Sequence, residues 1–140
     1  MKIELIDNPE KDLIDFLDQK INDFNQQNWE VKQQTPIAIK VSNNDGEIIA
    51  GTAGRSFGDW FLLDTLWVSE SLRGKNLGTK LLNDIEIAAK NRGCKKVLLD
   101  TLNFQAMPFY EQEGYSVEWK QMGYPRTGCK YFMVKTFDNI

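Results

Sequence analysis

The residues best suited to chemistry lie in a short basic turn between two apolar segments. Residues 73–79 read Arg-Gly-Lys-Asn-Leu-Gly-Thr and join an apolar strand to an amphipathic helix. The first turn of a helix offers backbone N–H groups without intrahelical partners, together with the positive end of the helix dipole. Phosphate and diphosphate groups bind well at such a position. The sequence therefore predicts an anion site at this turn.

A second group of polar and aromatic residues follows the next strand in the chain. It consists of Asn103, Ala106, Phe109, Tyr110, Gly114 and Tyr115. Amide and phenol side chains supply hydrogen bonds, and a phenol also supplies a proton. The turn and this second group together predict an enzyme that holds a phosphate-bearing cofactor and works on its reactive end.

The periodicity of apolar residues predicts the elements that position these groups. Strands are predicted over residues 2–6, 35–42, 46–54, 60–68, 96–101, 115–121 and 130–135. Amphipathic helices are predicted over residues 9–27, 76–92 and 105–113, with Asn8 capping the first and Gly93 ending the second. The order strand, helix, strand predicts a right-handed crossover between parallel strands. The expected fold class is α/β, with one mixed sheet whose first half is antiparallel and whose middle contains a parallel pair.

Two details of these predicted elements bear on the site. Gly51 and Gly54 interrupt a strand, which predicts a bulge or the close approach of another group. Asp64 interrupts the apolar run 60–68, and an unpaired buried carboxylate is costly, so this side chain is a candidate for function.

Composition excludes several classes of protein. The chain has 140 residues, 41% of them apolar and 26% charged, which is typical of one globular domain. Its net charge of −3 argues against binding to nucleic acid. Two cysteines give neither a disulfide framework nor metal-ligand spacing, and histidine is absent from the chain. Because no signal peptide or long apolar run is present, a cytoplasmic protein without a membrane partner is expected.

The two groups of residues, with the elements between them, resemble the GNAT superfamily of acyl-CoA-dependent N-acyltransferases. The matching pattern is Leu66-Trp67-Val68, Arg73-x-x-Asn76-x-Gly78, Asn103-x-x-Ala106-x-x-Phe109-Tyr110 and Gly114-Tyr115. The resemblance covers residues 61–116, and the order of the flanking elements also agrees. It implies a single acetyltransferase domain over residues 1–140, in which the strand before the turn splays from its parallel neighbour.

The resemblance also implies how coenzyme A is held. The turn is expected to bind the diphosphate through the backbone amides of Arg73, Gly74, Lys75, Asn76, Leu77, Gly78 and Thr79. The pantetheine arm is expected to lie in the splay along Leu66, Trp67 and Val68, where a backbone N–H holds the oxyanion. Asn103, Ala106, Phe109 and Tyr110 complete the implied contacts. The family usually has glycine where this chain has Asn76, and asparagine accepts unusual backbone angles better than most residues.

Acid and base roles follow from the same resemblance. Tyr110 matches the family's general acid, because a phenol can protonate the departing thiolate; the alternative is a structural aromatic that packs against the sheet. Asp64 is the leading candidate for the base. The family's glutamate lies two residues earlier, where this chain has Leu62. A chain of ordered water molecules, or a purely structural role for Asp64 at the sheet edge, stays open.

These inferences predict an N-acetyltransferase that uses acetyl-CoA and no metal. The acetyl group would pass to a primary amine by direct attack, through a tetrahedral intermediate. The acceptor is expected to be a small molecule or a peptide amine, and homodimers are frequent in the family. The alternative is a module that binds or senses acyl-CoA without turning it over.

Overall fold

The computed structural model describes residues 1–138 of the chain. Residues 139 and 140, the last two of the predicted domain, lie outside the described residues. Backbone contacts divide the chain into two units, of which the first is Met1–Lys32 and the second begins at Gln33. None of the helices in the described part is long and apolar enough to cross a membrane.

The first unit contains one helix, α1, which spans Lys11–Asn28. Residues 1–10 form no regular element, so the strand predicted over residues 2–6 is wrong. A strand needs a neighbour for its N–H and C=O groups, and this unit contains none. Asn8 is not the helix cap either. Its φ of 50° lies in the left-handed region, whereas Glu10 adopts the extended conformation of a cap.

The second unit is built on a six-stranded mixed sheet whose strand order is β1-β2-β3-β4-β6-β5. Its strands are β1 Thr35–Ser42, β2 Ile48–Phe57, β3 Trp60–Val68, β4 Lys96–Leu102, β5 Ser116–Met122 and β6 Cys129–Thr136. Helix α2 spans Leu77–Asn91, helix α3 spans Met107–Gln112, and a single 3₁₀ turn covers Glu70–Leu72. Among the strands of residues 1–138, only β3 and β4 pair in parallel, so the predicted parallel pair within an antiparallel sheet is confirmed.

The turns follow from their residues. Asn43 joins β1 to β2, because its Oδ1 accepts the N–H groups of Asp45 and Glu47 at 2.9 and 3.0 Å. Gly46 completes that turn with a φ of 82°. Because the turn extends through this glycine, β2 begins later than the predicted residue 46. At the far end of α2, Gly93 has a φ of 91° and ends the helix as predicted.

The core lies on one face of the sheet, beneath α2 and α3. Leu82 and Ile85 of α2 pack with Phe61, Val97 and Met133 of the central strands, and all five are fully or almost fully buried. Burying each such side chain contributes about 1.5–3 kcal/mol. Because this packing fixes α2 on the central strands, it also fixes the turn that precedes the helix.

Strand β3 carries a bulge at Asp64. On β2, Ala53 pairs with Thr65 and Gly54 pairs with Leu63, which leaves Asp64 as the extra residue. A Cβ atom on Gly54 would lie 2.5 Å from the Leu62 carbonyl oxygen and 2.5 Å from the Phe61 ring. The predicted bulge and close approach are therefore both confirmed at Gly54.

Candidate functional site

The parallel strands β3 and β4 diverge soon after they begin. They pair at only three positions, from Trp60 opposite Lys96 to Leu62 opposite Leu98. Strand β3 continues to Val68 and β4 continues to Leu102 without a shared ladder. The splay that the resemblance implied is confirmed, and it leaves a cleft between the two strands.

Backbone groups of β3 line this cleft. The N–H of Ser69 bonds the Ile49 carbonyl oxygen of the neighbouring β2 segment at 3.0 Å. Successive residues of a strand direct their N–H and C=O groups to opposite sides. The backbone N–H and C=O groups of Leu66 and Val68 therefore point away from β2 and into the cleft. The Val68 carbonyl oxygen already accepts a hydrogen bond, from Arg73 Nε at 3.1 Å.

The basic turn closes one end of the cleft. Gly74 and Asn76 adopt left-handed conformations, with φ of 79° and 62°, and α2 starts directly after Asn76. The Asn76 side chain makes no capping hydrogen bond to the helix. The N–H groups of the first turn of α2 therefore remain available to an external anion.

A pocket of about 420 Å³ joins the cleft to the turn. Its predicted lining residues are Leu66, Val68, Arg73, Gly74, Asn76, Leu77, Gly78, Thr79, Ala106 and Phe109. Three further lining residues, Leu72, Gln112 and Glu113, were not predicted. Strand β3, the basic turn, α2 and α3 all contribute residues to its lining.

Four predicted cofactor contacts lie outside this lining: Trp67, Lys75, Asn103 and Tyr110. Trp67 and Lys75 are exposed residues, and Trp67 is 45% exposed. The backbone of Trp67 points toward β2 by the alternation described above. Their role in binding a cofactor stays a prediction.

Asn103 also lies outside the lining and joins β4 to β6. Its Oδ1 accepts the N–H of Cys129 at 3.2 Å, and its own N–H donates to the Cys129 carbonyl oxygen at 3.0 Å. A Cβ atom on Gly128 would lie 2.7 Å from the same Oδ1. The Asn103 side chain therefore anchors the loop before β6, at the same end of the sheet as the cleft.

Tyr110 is held tightly within α3. The residue is 8% exposed, and its ring makes edge-to-face contacts with Phe109 at 5.2 Å and Tyr115 at 5.7 Å. Burial raises the pKa of Tyr110 to about 12. The phenol is therefore protonated at neutral pH, as an acid must be before it acts.

Asp64 occupies an exposed position rather than the buried one that its apolar neighbours predicted. The bulge turns its side chain outward, and 46% of that side chain is exposed. Arg55 Nε and Nη2 reach its two carboxylate oxygens at 3.3 Å each, and Arg55 Nη1 bonds Gln34 at 2.6 Å. The expected cost of an unpaired buried carboxylate therefore does not arise.

Arg55 and Asp100 are charged neighbours of the cleft that the sequence interpretation missed. Arg55 lies opposite Leu62 in the sheet, and the hairpin register could have placed it beside Asp64. Asp100 lies two residues beyond Leu98, as Asp64 lies two residues beyond Leu62. Both carboxylates therefore flank the cleft on the sheet face opposite α2 and α3. No cluster of His, Cys, Asp or Glu within residues 1–138 could hold a metal ion.

The fold and the pocket define a class of protein with a mixed sheet, splayed central strands and a basic turn before a helix. Residues 3–115 match the model of the Acetyltransferase (GNAT) family. The chain belongs to this family.

Two curated relatives are similar in sequence. An Agrobacterium fabrum protein named Acetyltransferase Atu2258 is 33% identical over 78 residues, which span 56% of this chain and 57% of that relative. The blasticidin-S acetyltransferase of Streptomyces morookaense is 28% identical over 127 residues, which span 84% of this chain and 93% of that relative.

A solved structure agrees over almost the whole chain. The crystal structure of an acetyltransferase from Bacillus cereus is 28% identical and superposes with a TM-score of 0.85. The superposition covers 96% of this chain and 98% of that chain. The architecture described above is therefore shared with an experimental structure named as an acetyltransferase.

Proposed function

We propose that this protein transfers the acetyl group of acetyl-CoA to a primary amine. The observation that carries the proposal is the pocket itself, which joins the cleft between β3 and β4 to the open N-terminus of α2. A diphosphate fits the turn, and an extended amide-bearing arm fits a strand edge that lacks a neighbour. Family membership and the acetyltransferase names of the relatives support the same activity.

The backbone of this chain would bind and polarise the donor. First-turn N–H groups from Leu77 to Thr79 face an anion at the turn, and the groups of Leu66 and Val68 face the cleft. When bound, acetyl-CoA supplies an activated acyl group on sulfur. An N–H of β3 near its carbonyl oxygen would stabilise the negative charge that develops there, and losing such a donor costs about 3 kcal/mol of barrier stabilisation.

Tyr110 would supply the proton to the departing thiolate. Its pKa of about 12 keeps the phenol protonated, and its rigid ring contacts fix its place on α3. We expect Tyr110→Phe to lower kcat by about 100-fold while the dissociation constant for coenzyme A changes less than about twofold, because only proton transfer is lost. Steady-state kinetics and calorimetry measure the two quantities. Near-normal turnover of the variant would remove Tyr110 from the mechanism.

Asp64 would accept a proton from the amine, or orient the amine, on the opposite side of the cleft. Its carboxylate is exposed beside the cleft, and Asp100 adds a second negative charge on the same face. A cationic amine would compete with Arg55 for Asp64. We expect Asp64→Asn to reduce kcat/KM for the amine without weakening coenzyme A, whereas Asp59→Asn, which removes an exposed carboxylate near the start of β3, serves as the matched control.

The chemical class of the acceptor rests on the curated relatives. A match to a blasticidin-S acetyltransferase over 93% of that relative favours a small-molecule amine, and peptide amines form the other half of the test panel. The release of free thiol from acetyl-CoA, measured with each amine in turn, tests the proposal directly. Thiol release that depends on one amine supports transfer.

The second candidate is a module that senses acyl-CoA without turning it over. Two observations favour it: Arg55 already neutralises Asp64, and Tyr110 does not line the pocket. The sensing function predicts tight binding of acetyl-CoA with no thiol release for any amine. The same thiol assay, combined with calorimetry, separates the two candidates.

A further inference from the structure

Helix α3 is joined to α2 by contacts along one face of α2. Near the N-terminus of α2, the Phe109 ring lies 3.7 Å from the position that a Cβ atom on Gly78 would occupy. Thr79 Oγ1 donates to Glu113 Oε1 at 3.0 Å. Two turns further along the helix, Glu86 meets Tyr115, which follows α3. These contacts fix the aromatic residues of α3 relative to the anion-binding turn.

Glu86 is the unusual member of this face. It is 3% exposed, and a buried carboxylate is costly unless both of its oxygens find partners. Here the Tyr115 hydroxyl donates to Oε2 at 2.7 Å and Lys135 Nζ donates to Oε1 at 2.9 Å. One buried carboxylate therefore ties the cofactor-side helix to β6 and to the end of α3.

Tyr115 carries this constraint to Tyr110. Its N–H bonds the Tyr110 carbonyl oxygen at 3.0 Å, and the two rings meet edge to face at 5.7 Å. Burial and the neighbouring Glu86 carboxylate raise the pKa of Tyr115, so its hydroxyl stays a donor to Glu86. The orientation of the Tyr110 ring is therefore constrained by Tyr115, whose hydroxyl is bonded to Glu86 of α2.

We propose that Glu86 and Tyr115 are positioning residues, which hold the Tyr110 hydroxyl at a set place relative to the diphosphate-binding turn. This inference rests on the proposed function, because it requires Tyr110 to act as the acid. Neither residue is among those that line the pocket, and both are buried. Their effect on turnover passes through Tyr110, and small displacements of a reacting group are known to cost large factors in rate.

A double-mutant cycle tests whether the effect passes through Tyr110. Tyr115→Phe keeps the ring and removes the hydroxyl that Glu86 holds. We expect it to lower kcat by about tenfold in the wild-type background, with KM for acetyl-CoA changed less than about twofold. In the Tyr110→Phe background, the same substitution should change kcat by less than about twofold, because the acid is already absent.

Conservative variants and a matched control complete the design. Glu86→Gln retains an oxygen that can accept from Tyr115, so its kcat should recover toward the wild-type value, whereas Glu86→Leu should match Tyr115→Phe. Tyr131→Phe removes the hydroxyl of another tyrosine, which is partly buried on β6, and should leave kcat unchanged. Thermal unfolding of each variant confirms that it folds.

The outcomes separate the two proposals. An equal loss of kcat from Tyr115→Phe in both backgrounds would overturn the positioning role and leave the proposed function intact, as would full activity of Tyr115→Phe. Normal turnover of Tyr110→Phe alone would overturn the acid assignment and the positioning role with it. Absence of thiol release from the wild-type protein with every amine would overturn the proposed transfer itself.

Discussion

At the residue scale, Asn76 shows how one backbone angle shapes the site. Its φ of 62° lets the chain reverse just before α2, and its side chain makes no cap. Among L-residues, asparagine is one of the few that adopt this region at modest cost. From the sequence, Asn76 stands where the family usually has glycine and is a residue that accepts unusual backbone angles, and its left-handed conformation confirms that it adopts them here.

We therefore expect Asn76→Gly to leave the affinity for coenzyme A unchanged or to increase it, because glycine adopts the same angles without strain. Asn76→Ala should weaken folding by about 1–2 kcal/mol, since alanine pays the full cost of the left-handed region. Calorimetry with coenzyme A and urea unfolding measure the two effects. A clear loss of affinity in Asn76→Gly would show that the amide side chain itself contacts the ligand.

Tyr110 also makes stability depend on pH. Its pKa is about 12 in the folded protein and about 10 in the unfolded chain, so the folded state favours the protonated phenol. The resulting stabilisation is fully present below about pH 10 and is lost as the pH rises from about 10 to 12. A shift of this size corresponds to about 2–3 kcal/mol.

We expect the free energy of unfolding of the wild-type protein to fall more steeply above about pH 10 than that of Tyr110→Phe, which lacks the ionising group. Urea unfolding at a series of alkaline pH values gives both curves. Parallel curves would mean that the phenol ionises equally well in the folded state, and that it is less buried than the structure shows.

At the element scale, the bulge in β3 depends on a glycine in the neighbouring strand. A side chain at Gly54 would enter the space held by the Leu62 carbonyl oxygen and the Phe61 ring, both at 2.5 Å. Neither group can move without disturbing the pairing of β2 with β3. The bulge in turn directs the Asp64 side chain outward, so Gly54 influences the position of Asp64 without contacting a ligand.

We expect Gly54→Ala to lower the free energy of unfolding by about 3 kcal/mol or more, because the methyl group overlaps backbone and a buried ring. Gly78→Ala is the matched control: its methyl group would lie 3.7–3.9 Å from the Phe109 ring, an ordinary contact. That variant should stay within about 1 kcal/mol of the wild type. Urea unfolding of both proteins makes the comparison, and equal stability would show that the strands can separate locally.

Most elements of the second unit could be predicted from sequence. Strand β3 was predicted with its observed bounds, because a long apolar run between turn residues has few alternatives. Helix α2 was predicted within one residue at each end, since its apolar face and Gly93 mark it clearly. The segment 2–6 misled the interpretation, because alternation alone does not supply a partner strand.

Side-chain partners within the site were harder to predict. The pairing of Asp64 with Arg55 depends on the register of β2 against β3 and on the bulge at Asp64, and the predicted strands carried neither a register nor the place of the extra residue. The burial of Glu86 was missed because a single acidic residue on an apolar helix face usually lies at its margin. Only the packing of Tyr115 and Lys135 against that face shows why a carboxylate is retained there.

At the scale of the whole molecule, the pocket draws on distant parts of the chain. Residues of β3, the basic turn, α2 and α3 all contribute to it. A ligand that bridges these elements binds only the folded protein, so it must raise the free energy of unfolding. The chain order of these elements was predictable, whereas the size of the pocket required the structure.

We expect coenzyme A at about 100 times its dissociation constant to stabilise the protein by about 2.7 kcal/mol. Pantetheine, which lacks the diphosphate, should bind more weakly and shift the melting temperature much less at the same concentration, because the turn then has no anion to hold. Thermal unfolding with each ligand measures the difference. Equal shifts from both compounds would contradict a diphosphate site at residues 73–79.

The separation of β3 from β4 also affects which substitutions the site tolerates. Every residue type has a peptide group. An acetyl donor that binds to the main chain of residues 66–68 would therefore place little constraint on the side chains there. Positions 66 and 68 would then tolerate substitution by other apolar residues of similar size. Substitutions that close the cleft between β3 and β4, or that remove the extra residue of β3, would instead be selected against.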